Sequence, residues 1–230
     1  MADNVPEVIY EALDDLDSEV LERSGSIFYS GRGAFSKPSP LYMLGLNPGG
    51  DPVRQATETV EAHRGHFRSG NPSWSAYADE SWEGAAPGTW GMQPRVLHML
   101  AALGLDPQGV PASNVVFARS GNEAALRSEK DRLLTACWPV HEAVLGSLGI
   151  KIVLCFGKTA GRWVRKRLAA NDQIDQYSET NNRGWVSEAH QSVYGQVVIT
   201  TTHPSRADWS NPSADPTPLI RRVLSYASRG

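Results

Sequence analysis

From Leu41 to Asp51 the chain reads Leu-Tyr-Met-Leu-Gly-Leu-Asn-Pro-Gly-Gly-Asp, an apolar strand that runs straight into a turn. Five of its first six residues are apolar. Pro48 then removes a backbone donor and fixes φ, and Gly49 and Gly50 open conformations closed to other residues. A strand that stops this sharply lets a ligand approach the backbone, and in open parallel α/β sheets ligands bind at such carboxyl ends. Asn47 is the one polar side chain this strand delivers to its rim.

The rest of the chain repeats the strand-then-helix pattern. Val8, Ile9, Ala12, Leu13, Leu16, Val20 and Leu21 recur at helical spacing, which predicts an amphipathic helix over 6–23. Residues 24–40 and the polar stretches 51–92 and 171–195 read as loops, the first of them rich in Gly, Ser and Pro. Trp74, Tyr77, Trp82 and Trp90 lie within 51–92 and argue against disorder there. A helix is predicted over 93–103 with Gly104 ending it, a strand over 114–118, and a helix over 124–147 broken at Pro139. Ile152 to Phe156 is continuously apolar, as a strand covered on both faces should be. A basic helix 159–170, a strand 196–202 leading into His203-Pro204-Ser205, and a final helix 217–228 complete the chain. This order predicts one α/β domain over 1–230, with its core in 41–228. It is a three-layer α/β/α sandwich around a four-stranded parallel sheet.

The totals narrow the function. No apolar run approaches the ~20 residues needed to span a membrane, and the acidic, polar start is not that of a signal peptide. Net charge is −3, against indiscriminate coating of nucleic acid but compatible with one basic face. Cys137 and Cys155 read as buried hydrophobes in a reducing compartment, and two cysteines cannot hold a four-cysteine iron–sulfur cluster. The expectation is a cytoplasmic monomer without cofactor or metal.

Phe156-Gly157-Lys158-Thr159 imitates the end of a phosphate-binding loop. The glycine required five residues before Gly157 is Ile152, inside a strand, so the loop is absent. There is no Gly-x-Ser-x-Gly elbow. His63 and His66 lack further metal ligands nearby and read as a solvated pair. His203-Pro204-Ser205 follows a strand and falls on the same predicted sheet edge as Asn47, where a histidine can donate to an oxygen that gains charge. Asp51, close to Asn47, is either a general base or a turn-stabilising residue.

Gly45-Leu46-Asn47-Pro48-Gly49 and His203-Pro204-Ser205 together resemble the two active-site motifs of the uracil-DNA glycosylase superfamily, most closely its mismatch-specific and single-strand-selective branches. Ser113-Asn114-Val115-Val116 is similar to the family's middle strand, and Ile152 to Gly157 to its third. The likeness runs over about 41–225. It implies a DNA glycosylase that turns a base out of the helix, hydrolyses its glycosidic bond and leaves an abasic site. By that resemblance Asn47 holds the water and His203 stabilises charge on the pyrimidine O2. Asn114 reads the base edge, and Gly45, Leu46, Pro48 and Gly49 line the base. Trp90 is the candidate stacking ring, with Trp74, Tyr77 and Trp82 as alternatives. Ser205, Arg206 and Trp209 fall where the family meets and wedges DNA, and Lys158, Arg119 and Arg162 are candidate phosphate contacts.

Two departures shape the expectation. The classical uracil-specific branch has a tyrosine at the place of Gly49, which blocks C5 substituents; here that space is open. The resemblance therefore points to a bulky or modified pyrimidine, such as hypermodified cytosine in phage DNA attacked as a defence. The cluster cysteines of the iron–sulfur branches are missing. Three rivals stand beside this reading: a uracil or mismatch repair glycosylase, a non-catalytic DNA-binding member of the fold, and an α/β enzyme acting on free nucleotides.

Overall fold

Apolar residues alternate across the central strands and thereby build two cores. In β1 (Tyr42–Gly45), Tyr42 and Leu44 face one layer and Met43 the other. In β3 (Ile152–Phe156), Val153 and Cys155 face the first layer, and Ile152, Leu154 and Phe156 the second. The computed structural model describes residues 4–227. The first core receives α1 (Glu7–Asp14), α5 (Lys130–Ser147) and α6 (Lys158–Arg167); the second receives α4 (Gln93–Leu103) and α7 (Thr217–Ala227).

The sheet has six strands in the order β2-β1-β3-β6-β5-β4, with β2 at Ala112–Asn114, β4 at Ala170–Ser178, β5 at Val186–Ser192 and β6 at Val197–Thr201. Four parallel strands are present as β2, β1, β3 and β6, but β2 precedes the predicted strand 114–118 and shares only Asn114 with it, the buried residues after Asn114 leaving the sheet as a bend. The correction is an antiparallel hairpin, β4–β5, added beside β6. The sequence hides it because β4 is an edge strand. Asn171, Asp172 and Gln173 are exposed, Ile174 and Tyr177 are only half-buried, and register shifts interrupt its pairing. Polar, irregular edges of this kind discourage pairing with another chain.

Other boundaries move for local reasons. The predicted 6–23 helix divides into α1 and α2 (Ser18–Leu21), because Asp17 caps a new start by accepting from the Glu19 amide at 2.9 Å. The predicted 124–147 helix opens as a 3-10 turn at Glu123–Leu126, and α5 then passes through Pro139 unbroken. Buried Leu134, Cys137, Trp138, Val140 and His141 on both sides of the proline hold that helix by packing. Within 51–92 lies α3 (Val60–Ser69), which buries only Val60 and Phe67 and so carries a weak apolar signal. Its start is fixed by Thr59, which accepts from the Ala62 amide at 3.0 Å. The last helix ends at Ala227 among the described residues; Ser228 lies outside them.

The strand order places a topological switch at β1. The chain leaves β1 for β2 on one side and returns to β3 on the other. Loops diverge there, and the crevice between them is where an open α/β sheet takes a ligand.

Candidate active site

Asn47 follows β1 by two residues and His203 follows β6 by two, both at the carboxyl edge of parallel strands. Only β3 separates those strands, so the two loop tips stand roughly 10 Å apart, two strand spacings. Gly157 ends β3 between them. Its amide donates to the Thr201 carbonyl at 3.0 Å, and its Cα approaches so near His203 that an added Cβ would lie 3.5 Å from the ring. Its φ of +94° is one that glycine adopts freely.

The hydrogen bonds of Asn47 settle which amide atom faces outward. Its Nδ2 donates to the Pro48 carbonyl at 2.8 Å and to Ser120 Oγ at 2.9 Å. A carbonyl can only accept, and the Ser120 hydroxyl spends its proton on the Asn122 carbonyl at 2.9 Å. The amide is therefore held by its nitrogen. No protein group among the described residues bonds Oδ1, which remains an acceptor at the rim.

The same reasoning fixes the tautomer of His203. Its Nδ1 receives the Ser205 backbone N–H at 3.1 Å and stands 2.8 Å from Ser205 Oγ. A backbone N–H can only donate, so Nδ1 is unprotonated and the ring proton sits on Nε2. Burial, aided by the nearby Arg206 charge, holds the imidazole pKa down to about 4. The ring is thus a neutral Nε2–H donor across the pH range of cells.

Asn114 ends β2 in register with Gly45. Its Oδ1 lies 2.1 Å from where a Cβ on Gly45 would stand, so only glycine permits this approach. Asn114 is 7 % exposed and its side chain lies near enough to Tyr29 to favour the ionised form of that hydroxyl. Burial pushes the Tyr29 hydroxyl up to about 12, so it remains a proton-bearing phenol. Tyr29 lies 5.8 Å from Tyr77 and edge-on to Trp82 at 6.4 Å, and Tyr77 reaches Phe156 at 6.5 Å. These rings form the wall beside Asn114. Trp90 is half exposed and makes none of these ring contacts. Sequence reading missed Tyr29 and Phe156 because one lies in a Gly- and Ser-rich loop and the other in a strand that looks purely structural.

The remaining predicted residues divide. Leu46 and Pro48 occupy the tip of the Asn47 loop, Pro48 buried and Leu46 half-buried. Gly49 is exposed, with nothing within 4 Å of an added Cβ. Asp51 Oδ1 accepts from the Val53 amide at 2.8 Å and the Arg54 amide at 3.3 Å, the turn-stabilising arrangement. Arg119 is only 11 % exposed. Its guanidinium donates to the Gly49 carbonyl, to Ser24 Oγ and to Glu58, so it clamps the Asn47 loop. Trp209 is fully buried and edge-on to Phe156 at 5.4 Å, which corrects its expected place as a DNA wedge. Lys158 and Arg206 are exposed beside His203, one following Gly157 and the other three residues past the histidine, and neither side chain has a protein partner among the described residues. Ser205 is committed to His203. The basic character of α6 is partly absorbed: Arg165 lies 3.8 Å from Glu188, and Arg167 covers Trp163. His63 is not solvated either; its Nε2 lies 2.9 Å from Ser26 Oγ.

A cavity of about 310 Å³ adjoins Ser120, lined in part by Ser24, Pro52, Arg119 and Asn122. A more open one of about 430 Å³ lies between the β4–β5 tip and the loop after His203, lined in part by Asn182, Arg183, Asp208 and Asn211. Arg183 braces that loop by donating to the Arg206 carbonyl at 2.6 Å. Among the described residues no group of three or more His, Cys, Asp or Glu is placed to hold a metal, and no helix is long and apolar enough to cross a membrane.

The family model described as the uracil DNA glycosylase superfamily matches residues 32–223. No curated protein sequence matches the chain.

Proposed function

The chain belongs to the uracil-DNA glycosylase superfamily, and we propose that it is a monofunctional DNA glycosylase acting on a flipped-out pyrimidine that carries a C5 substituent. The family supports base excision from DNA in general. The reading is supported by one arrangement: a neutral Nε2–H donor on His203 and an Asn47 carbonyl oxygen that no described protein group bonds stand on loops at the same sheet edge, following the two strands that flank β3.

Cleavage of the glycosidic bond leaves an oxocarbenium-like sugar and an anionic base. An asparagine amide does not take up a proton near neutral pH, so Asn47 Oδ1 orients the water rather than deprotonating it. A largely dissociated transition state asks for little more. His203 Nε2–H meets the charge that grows on the pyrimidine O2, and a neutral donor does so without a proton-transfer equilibrium of its own. Asn114 offers a donor and an acceptor to the base edge, beside Tyr29. Tyr77 and its neighbours supply the aromatic wall. Lys158 and Arg206 meet the flanking phosphates. With water as the nucleophile and Lys158 assigned to phosphate, an abasic site is the product.

Gly49 supports the preference for a substituted base, because nothing occupies the space beyond its Cα. Hypermodified cytosine in phage DNA, removed as a defence, is the substrate class this opening suits. The test is an oligonucleotide panel holding uracil, mismatched thymine, hypoxanthine and cytosines with C5 groups up to glucosylated ones, each read by strand scission in hot alkali. Faster scission at a 5-substituted pyrimidine than at uracil is the expected result. Cleavage of uracil alone overturns the substrate assignment, and no scission anywhere overturns the enzymatic one.

A further inference from the structure

His203 sits in a turn whose peptide groups are held from two distant parts of the chain. The Pro204–Ser205 peptide is one rigid trans unit, so its N–H and its carbonyl point in opposite directions. At one end the N–H donates to His203 Nδ1 at 3.1 Å. At the other the carbonyl accepts from Arg95 Nη1. Arg95 lies in the first turn of α4, 109 residues before Pro204, and its side chain is 29 % exposed. Asp208 Oδ1 stands 3.6 Å from Arg95 Nε on the opposite side of the guanidinium stem.

A second peptide repeats the arrangement further along the turn. The Arg206–Ala207 unit donates its N–H to the His203 carbonyl at 3.1 Å, and its own carbonyl accepts from Arg183 Nη1 at 2.6 Å. Arg183 comes from the tip of the β4–β5 hairpin, the part of the sheet added beside the four parallel strands. It is fixed there in three ways. Its Nη2 donates to Glu179 Oε2 at 3.1 Å, its guanidinium covers the Trp185 ring at 4.4 Å, and its backbone N–H donates to Asn181 Oδ1 at 2.9 Å. The Glu179 side chain is 1 % exposed and also accepts from Asn181 Nδ2 at 2.8 Å, a buried anchor for a guanidinium at the surface. Beyond the turn, Ala207 and Trp209 are buried in the second core.

We infer that Arg95 and Arg183 are positioning residues for His203, each acting on it through a single peptide plane. Arg95 sets the ring. It fixes the plane whose N–H keeps Nδ1 unprotonated, and so it keeps the ring proton on Nε2. The Ser205 hydroxyl, 2.8 Å from Nδ1, is carried on the same plane and turns with it. Arg183 sets the backbone, by fixing the plane whose N–H holds the His203 carbonyl. A donor on a peptide carbonyl also polarises that peptide and strengthens its N–H as a donor to the next acceptor. Charged donors make the stronger bonds of this kind. The consequences for rate rest on the glycosylase reading above. The protonation site of the ring does not, and it is read without turnover.

The test joins nitrogen-15 spectra of the His203 ring to single-turnover rates on whichever oligonucleotide of the panel above is cut fastest, with DNA affinity and melting temperature measured beside them. In the unaltered protein the spectra should show one tautomer, protonated at Nε2. Arg95→Ala should add a second population protonated at Nδ1. It should also slow base release by roughly 10–100-fold, the range that a misplaced catalytic group costs, with DNA affinity unchanged. Arg95→Lys, which keeps a charged donor, should regain part of the rate and of the single tautomer. Arg183→Ala should slow base release without adding the second tautomer, because it acts on the backbone. Should Arg95→Ala fail to fold, Arg95→Met keeps the stem without the donors and carries the same expectations. An unaltered spectrum in the Arg95 variants overturns the assignment, as does an Nδ1-protonated ring in the unaltered protein. A loss of affinity as large as the loss of rate also overturns it, since the arginine then meets DNA directly. If the protein cuts no strand of the panel, the glycosylase reading fails, and the spectra alone decide whether Arg95 sets the ring.

Discussion

Asn47 is held in place by Ser120, whose hydroxyl accepts from Asn47 Nδ2 at 2.9 Å and passes its own proton to the Asn122 carbonyl. The loop after β2 thus sets the direction of a side chain delivered by β1. Removing Asn47 should abolish catalysis while leaving DNA affinity, because an Asn47→Ala protein keeps its phosphate contacts. Ser120→Ala keeps the amide but lets it rotate, and a misaligned water costs on the order of 10–100-fold in rate. Single-turnover scission beside an electrophoretic binding assay checks both, and an equal loss of binding and turnover in Asn47→Ala would contradict the assigned role.

Gly45 and Asn114 form a second dependent pair. A Cβ at Gly45 would sit 2.1 Å from Asn114 Oδ1 and 3.2 Å from its Cγ. Gly45→Ala must therefore displace the Asn114 amide or part β1 from β2. Overpacking of this kind costs about 1–3 kcal/mol. Thermal melts should show the destabilisation. Activity measured well below the melting temperature should still be lost, because the base contact proposed for Asn114 moves with the displaced amide.

The neutral state of His203 has a consequence for pH. Its folded-state pKa of about 4 lies below the 6.5 of an unperturbed histidine, so no inflection near 6.5 is expected in the rate between pH 5 and 8. His63 and His141 are likewise held near 4, chiefly by burial. For each of the three, the folded pKa is depressed, so the stability of the neutral form is present above 6.5 and lost as pH falls towards 4. The unfolded chain binds up to three more protons in that window, a limiting slope of at most about 4 kcal/mol per pH unit. Urea midpoints that stay level from pH 7 to 5 would contradict this.

The parallel strands β1, β3 and β6 were legible because continuous apolar runs such as Ile152–Phe156 have few alternatives in a protein of this size, and helix 93–103 because Gly104 closes it with φ +69°; β2 was misplaced because the apolar run Val115–Ala118 follows the short strand Ala112–Asn114 rather than forming it. The loop tips at Asn47 and His203 could be read from turn chemistry at strand ends. Side-chain commitments could not. Trp209 looks exposed in a polar segment, yet Phe156 and the second core enclose it. Arg119 looks like a free phosphate contact, yet three partners from distant segments hold it. The hairpin β4–β5 escaped notice because its polar edge strand lacks the alternation that marks a half-buried strand. Tyr29 reaches the site through an isolated bridge pairing of its neighbour Phe28 with Ser113, a contact 85 residues away in the chain.

Gly49 offers the sharpest test of substrate choice. An added Cβ there meets nothing within 4 Å, and its φ lies outside the left-handed region, so a side chain can be introduced without backbone strain. Arg119 holds the Gly49 carbonyl, not its Cα substituent, so the clamp on the loop survives the change. Gly49→Tyr should fill the opening beside C5 with a ring. Rates on 5-substituted pyrimidines should fall by 10²-fold or roughly that order, since a ring and a C5 substituent cannot share one space. Uracil and unsubstituted cytosine have no group in that space, so the loss on them should be smaller by at least about an order of magnitude. A Gly49→Ala protein, which adds one methyl, should fall between the two. Equal rates for the three proteins on a 5-glucosyloxymethyl substrate would show that the substituent leaves the pocket by another route.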